Sequence, residues 1–166
     1  MGEQSDSAAF LFFKPQKNKT MENLNYYYRI VEEALAKLGL DPQDARLKNP
    51  GQWRLSKGKI PVWITVFYRE KEKSAYFQVD APVMKVPQTN RENFALELLS
   101  INDRLFGVAF CIYKGNVHLK TLRETEGLDV SEVSSMILRI ANYADQYDDI
   151  LLQKYPDRQP IGFFAG

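Results

Sequence analysis

The sequence predicts an α+β domain with element order αβββαββα, its helices packed on one face of an antiparallel sheet. Three observations carry this. Apolar residues recur at spacings of three and four near both ends of the chain, marking two amphipathic helices. Between them lie runs in which apolar and other residues alternate, the signature of strands. The connections between those runs are short, and short connections favour pairing of sequence neighbours.

The first helix carries Tyr27, Ile30, Val31, Ala34, Leu35 and Leu38 in one stripe and spans about residues 22–38. Thr20, Asn23 and Asn25 are candidate caps. Gly39 and Pro42 stop it. Trp53-Arg54-Leu55 is a short strand, with Lys57-Gly58 as a hairpin turn. Pro61 opens a strand from Val62 to Arg69, and Glu70-Lys71-Glu72-Lys73 is a charged turn. The third strand runs from Ser74 to about Asp80, where Pro82 and Pro87 discourage further pairing. These three strands form a meander. Thr89 and Glu92 have the spacing of a capping box for a second helix, which buries Phe94, Leu98 and Ile101 or Asn102. Phe106 to Tyr113, the turn Lys114-Gly115-Asn116 and Val117 to Leu122 form a hairpin. The closing helix is capped by Asp129 with Glu132 at the third position. Its stripe is Val130, Val133, Ile137, Ile140, Ala144, Tyr147 and Leu151, and Tyr155-Pro156 ends it.

The chain has 166 residues, so one domain is expected, over residues 22–155. Residues 1–21 read as an N-terminal extension or docking arm and residues 156–166 as a C-terminal tail. The arm carries the apolar run Ala8 to Phe13 ahead of Lys14, Lys17 and Lys19, the reverse of a secretory signal. A cytoplasmic protein is therefore expected. No run approaches the ~18 apolar residues of a membrane span. One cysteine and one histidine argue against a disulfide framework and a Cys- or His-rich metal site. A net charge of +1 shows no bias toward nucleic acid.

Four segments carry a resemblance to a known family. They are Tyr27-Tyr28-Arg29-Ile30-Val31-Glu32-Glu33-Ala34-Leu35, Val62-Trp63-Ile64-Thr65-Val66-Phe67, Asn102-Asp103-Arg104-Leu105-Phe106-Gly107 and the closing helix from Ser131. Over about residues 22–155 the chain resembles the YbjN-like family, labelled bacterial sensory transduction regulators, whose fold is that of type III secretion chaperones. The resemblance implies a non-enzymatic protein that binds other proteins, often as a homodimer. It brings no catalytic signature and no cofactor.

The residues themselves show little chemistry. There is no glycine-rich phosphate loop. Cys111 and His118 fall on adjacent hairpin strands, and a nucleophile pair would need a third, orienting group. A packing cysteine is the simpler account. Asp145, Asp148 and Asp149 read as a solvated helix face rather than a cation site, which needs more oxygen ligands. Lys114, Lys120 and Arg123 beside Tyr113 are diluted by Glu124 and Glu126, which argues against a nucleic-acid groove.

The sheet is more informative. Val62, Ile64, Val66 and Tyr68 form one row and Val108, Phe110 and Ile112 another, both expected to face the helices. The opposite row holds Trp63, Thr65, Phe67 and Arg69, with Tyr76 near Phe67 and with Ala109, Cys111 and Tyr113 further along. A face open to water should be polar. An aromatic one needs a cover: the chain's own tails (Phe10 to Phe13 or Phe163-Phe164), a second copy in a homodimer, or a different protein. Trp63, Phe67, Tyr76 and Tyr113 are the predicted partner-binding residues. An enzyme with unrecognised chemistry around Cys111 and His118 is the remaining alternative.

Overall fold

The computed structural model describes residues 19–55 and 59–155. The expectations placed on the two tails and on the Lys57-Gly58 turn lie outside the described residues.

Helix α1 (Lys19–Lys37) is followed by a four-residue helix α2 (Pro42–Ala45). Strands β1 (Gln52–Leu55), β2 (Val62–Arg69) and β3 (Ser74–Lys85) come next. Then follow α3 (Arg91–Asn102), β4 (Ala109–Tyr113), β5 (Asn116–Glu124) and α4 (Val130–Lys154). Apart from α2 this is the order αβββαββα. The five strands form one sheet in the order β1-β2-β3-β5-β4, and every pair is antiparallel. The expected meander is present. The second hairpin joins it through β5, which pairs along β3 from Tyr76↔Glu124 to Lys85↔Asn116.

Helices α1 and α4 contact each other and pack on the same side of the sheet. Their stripes meet it as the 3.6-residue period requires. Val31, Ala34 and Leu35 of α1 are fully buried, as are Val133, Ile140, Ala144 and Leu151 of α4. The sheet answers with Ile64, Phe77, Val79, Met84 and Leu119. Helix α3 contacts β4, and its Phe94 ring meets Tyr155 edge-on, with centroids 4.8 Å apart. The Tyr155 hydroxyl donates to Glu97 at 2.5 Å, and burial together with that carboxylate pushes the phenol up to about 12. Tyr155 thus ties the end of α4 to α3 as well as ending the helix.

Several local expectations are corrected. Helix α1 is already helical at Lys19, so Thr20, Asn23 and Asn25 lie within it and do not cap it. Gly39 adopts φ +75, and the backbone N–H of Leu40 returns to Leu35 O, a left-handed helix stop. Pro42 does not merely end α1: it opens α2, where the Asp41 side chain accepts from the Gln43 N–H at 2.8 Å.

Strand β3 runs on through Pro82 to Lys85, beyond the expected end at Asp80. Pairing with β2 stops at Trp63↔Asp80, so past that point β3 has a neighbour on one side alone, and the register slips between Pro82 and Met84. A proline is tolerated at such an edge and bulge. The cap residue of α3 is Asn90, not Thr89. Asn90 occupies the cap position in a left-handed conformation (φ 54) without a side-chain cap bond, and its side chain accepts instead from Asn93 Nδ2 at 2.7 Å. The capping box at Asp129 and Glu132 is present as expected.

Strand β4 starts at Ala109, not Phe106. Phe106 is 74% exposed, and Gly107 turns the chain with φ +67. The strand is then held by the Asn102 side chain, which accepts from Phe110 N–H (2.7 Å) and donates to Phe110 O (3.2 Å). Ile112 lies on the helix side, opposite buried Val117, yet is 52% exposed. Helix α4 reaches Phe110 through Tyr147, with ring centroids at 5.4 Å, but the helical layer does not extend over Ile112. Asp148 is buried, not part of a solvated acidic face, while its neighbour Asp149 receives Lys59 at 2.8 Å.

Candidate functional site

Alternation along β2 puts Val62, Ile64 and Val66 into the core and Trp63, Thr65 and Phe67 on the side away from α1 and α4. The antiparallel register extends each into a row across the sheet. One row is Arg54, Trp63, Asp80, Lys120 and Ala109; the next is Gln52, Thr65, Gln78 and Leu122. The third is Phe67, Tyr76 and Glu124. In the other direction Pro82, His118 and Cys111 align, and Tyr113 pairs with Asn116 at the far corner.

Phe67 and Tyr76 are brought together: their rings stack with centroids 5.8 Å apart and planes 24° apart. The Tyr76 hydroxyl donates to Glu124 at 3.5 Å, and burial, then Glu124 and Glu72, push its phenol up. Trp63 lies four residues along β2 from Phe67, or ~13 Å at the rise of a strand. The Arg54 guanidinium sits 5.4 Å from the Trp63 ring centroid, a cation–π contact. None of these aromatic side chains is fully open: Trp63, Phe67 and Tyr76 are half-buried, and Leu122 is an exposed large apolar residue of this face, at 49%. Tyr113 stands apart. It is on β4, beyond Trp63 on the side away from Phe67, where it meets His118 edge-on at 6.1 Å under Lys114 (5.4 Å).

One polar pair on this face is not marked by the residue pattern. His118 Nδ1 donates to both oxygens of Asp80, at 3.0 and 3.2 Å, and both side chains are close to nine-tenths buried. Asp80 and His118 are 38 residues apart and meet through the β3–β5 pairing, a long-range contact that composition and spacing do not reveal. Cys111 lies directly opposite His118, as the hairpin predicted.

A cysteine, a histidine and a carboxylate are therefore neighbours, yet His118 Nε2 has no hydrogen-bond partner, so the thiol is not joined to the ring. Burial raises the Cys111 thiol. Lys120 offsets part of this and Asp80 adds to it. The arrangement does not generate a thiolate, which is the nucleophilic form. Thiol reagents are expected to modify Cys111 more slowly than a free cysteine at neutral pH, with a rate–pH midpoint above that of the free amino acid. A faster reaction at neutral pH would contradict this.

Among the described residues no group of three His, Cys, Asp or Glu side chains is placed to hold a metal ion. Nor is any described helix long and apolar enough to cross a membrane.

Comparison with known proteins agrees with the fold. The model of the YbjN family, described as "Putative bacterial sensory transduction regulator", matches residues 28–153. No curated protein sequence matches the chain. Among solved structures, the ExsC–ExsE complex aligns with TM-score 0.59 and 17% identity over 77% of this chain and 95% of the other. The HopA1–SchA chaperone–effector complex aligns with TM-score 0.59 and 12% identity, covering 78% and 97%. The Yersinia pestis type III secretion chaperone SycH, solved with a fragment of YscM2, aligns with TM-score 0.53 and 13% identity, covering 72% and 98%. The fold is that of type III secretion chaperones.

Proposed function

The chain belongs to the YbjN family, and on that premise we propose that it is a non-enzymatic, cytoplasmic, chaperone-like regulatory module that binds a protein partner. The binding surface is the sheet face turned away from α1 and α4. The observation that carries this is the stacked Phe67–Tyr76 pair in line with Trp63 on a face where a water-exposed sheet would be polar. Likeness of fold to proteins solved as the ExsC–ExsE and HopA1–SchA complexes supports a protein as the occupant. Tyr113 is at most peripheral to such a site, because it stands at the far corner of the sheet. The binding domain is taken as residues 22–155. Capture from source-cell lysate after mild cross-linking, with Trp63→Lys as the paired control, tests the proposal. A protein recovered by the native chain and lost with the variant supports it; equal recovery by both contradicts it.

A second reading rests on a separate observation. Leu96 (55% exposed), Leu99 (64%), Phe106 (74%) and Ile112 (52%) leave α3, the loop after it and β4 with apolar side chains in water. Leu96 and Leu99 lie on the side of α3 opposite its buried Phe94, Leu98 and Ile101. A second copy of the chain is the occupant proposed here, since isologous dimers are the commonest oligomers. Light scattering is expected to give a dimer mass that Leu99→Glu reduces to that of a monomer. A native chain that is monomeric at every concentration would overturn the homodimer.

A further inference from the structure

The partner-binding face is electrically polarised, and the polarity indicates what it receives. At the Trp63 end the row across the sheet places Arg54 on one side of Trp63 and Lys120 on the other, with Asp80 between. Asp80 offsets part of their charge, but its carboxylate is turned to His118 at 3.0 and 3.2 Å and its side chain is 10% exposed, so an arriving segment meets the two cations first. Among the described residues neither Arg54 nor Lys120 has a carboxylate partner. The Arg54 Nε, which is buried, has no hydrogen-bond acceptor at all. The buried Nε is closed to an arriving group, but a carboxylate that pairs with the rest of the Arg54 guanidinium would form a charge-assisted bond there. Lys114, over Tyr113, adds a further positive charge beyond this row. At the Phe67 end the balance differs. Arg69 is satisfied by Glu72 at 3.0 Å, and Glu124 accepts from Tyr76.

We propose that the segment seated on this face is acidic, with two carboxylates about four residues apart flanking an apolar side chain in extended chain. The inference rests on the outer sheet face being the partner site. The spacing follows from the register. Arg54 and Lys120 are separated by three strand spacings, ~14 Å. Four residues of extended chain cover the same distance, and the residue midway between them points the same way, toward the sheet. The carboxylates then meet Arg54 and Lys120 while the apolar side chain covers Trp63. A basic segment would meet like charges at both ends of the row.

A displayed library of random peptides, selected on the full-length native chain and counter-selected on Trp63→Lys, tests this. The expected result is enrichment of sequences with Asp or Glu on both sides of an apolar residue. A selected peptide, synthesised with Glu and again with Gln at those positions, should bind at least about tenfold more weakly in the Gln form. Arg54→Gln and Lys120→Gln, checked for native far-UV spectra, should each reduce the Glu–Gln difference, and added salt should weaken the Glu form most. Selection of Trp63-dependent sequences that are neutral or basic, or equal binding of the Glu and Gln forms, overturns the acidic preference and leaves the binding face standing. Failure to select any Trp63-dependent sequence overturns both.

Discussion

Replacing Trp53 by alanine is expected to destabilise the fold by about 3–5 kcal/mol, the range for a buried large-to-small aromatic change. Trp53 on β1 is 2% exposed and packs edge-on against Tyr28 of α1, with ring centroids at 5.7 Å. Its indole N–H donates to Glu32 at 3.3 Å, and Arg46 grips the same carboxylate with two bonds, at 2.5 and 2.7 Å. One side chain therefore joins the edge strand, the first helix and the segment after α2. The loss would remove a large part of the 5–15 kcal/mol typical of a domain. For a chain of this size it should lower Tm by about 6–20 °C. Trp53→Phe keeps an aromatic ring but gives up the indole bond and part of the buried volume, so its cost should be smaller, about 1–3 kcal/mol. Thermal melts followed by far-UV circular dichroism separate the two. Equal, small losses for both variants would show that Trp53 does not hold the edge of the sheet.

Replacing Trp63 by alanine should do the reverse, leaving the fold and weakening the partner. Trp63 projects from the same sheet as Trp53 but to the opposite side, and it is not part of the buried core. A central aromatic anchor is worth about 2 kcal/mol or more by truncation, or a loss of ~30-fold in affinity. Phe67→Ala should also weaken binding, and it removes the ring that Tyr76 stacks on. The readouts are titration calorimetry against the captured partner and a melt. A variant with native Tm and unchanged affinity would remove Trp63 from the site.

The outward side of Trp63 was legible in the residue order, whereas the burial of Trp53 on its short strand was not. Strict alternation over Val62 to Arg69 separated the core row from the outer row, and the helical stripes of α1 and α4 identified what covers the core. Local pairing was legible for the same reason: Phe67 and Tyr76 lie either side of a short charged turn. What did not show was anything set by pairing between distant strands. The Asp80–His118 contact and the row joining Arg54 to Lys120 exist because β5 inserts beside β3, and period and spacing do not encode that choice. Ends of elements were legible only where a side chain decides them. Asp129 caps α4 as its spacing indicates, whereas α3 starts at a left-handed Asn90 despite the Thr89–Glu92 spacing. Ile112 kept its place in the row but not its burial, because the helical layer covers Phe110 and stops before Ile112.

The most direct test of the proposed binding face is photo-cross-linking from the two sides of the molecule. A photoreactive phenylalanine analogue is placed at position 67 on the outer face, or at position 138, where Leu138 is 44% exposed on α4. Each chain is illuminated with the partner bound. The account predicts a covalent adduct from position 67 and none from position 138. An adduct from position 138 alone would place the partner on the helical side and contradict it.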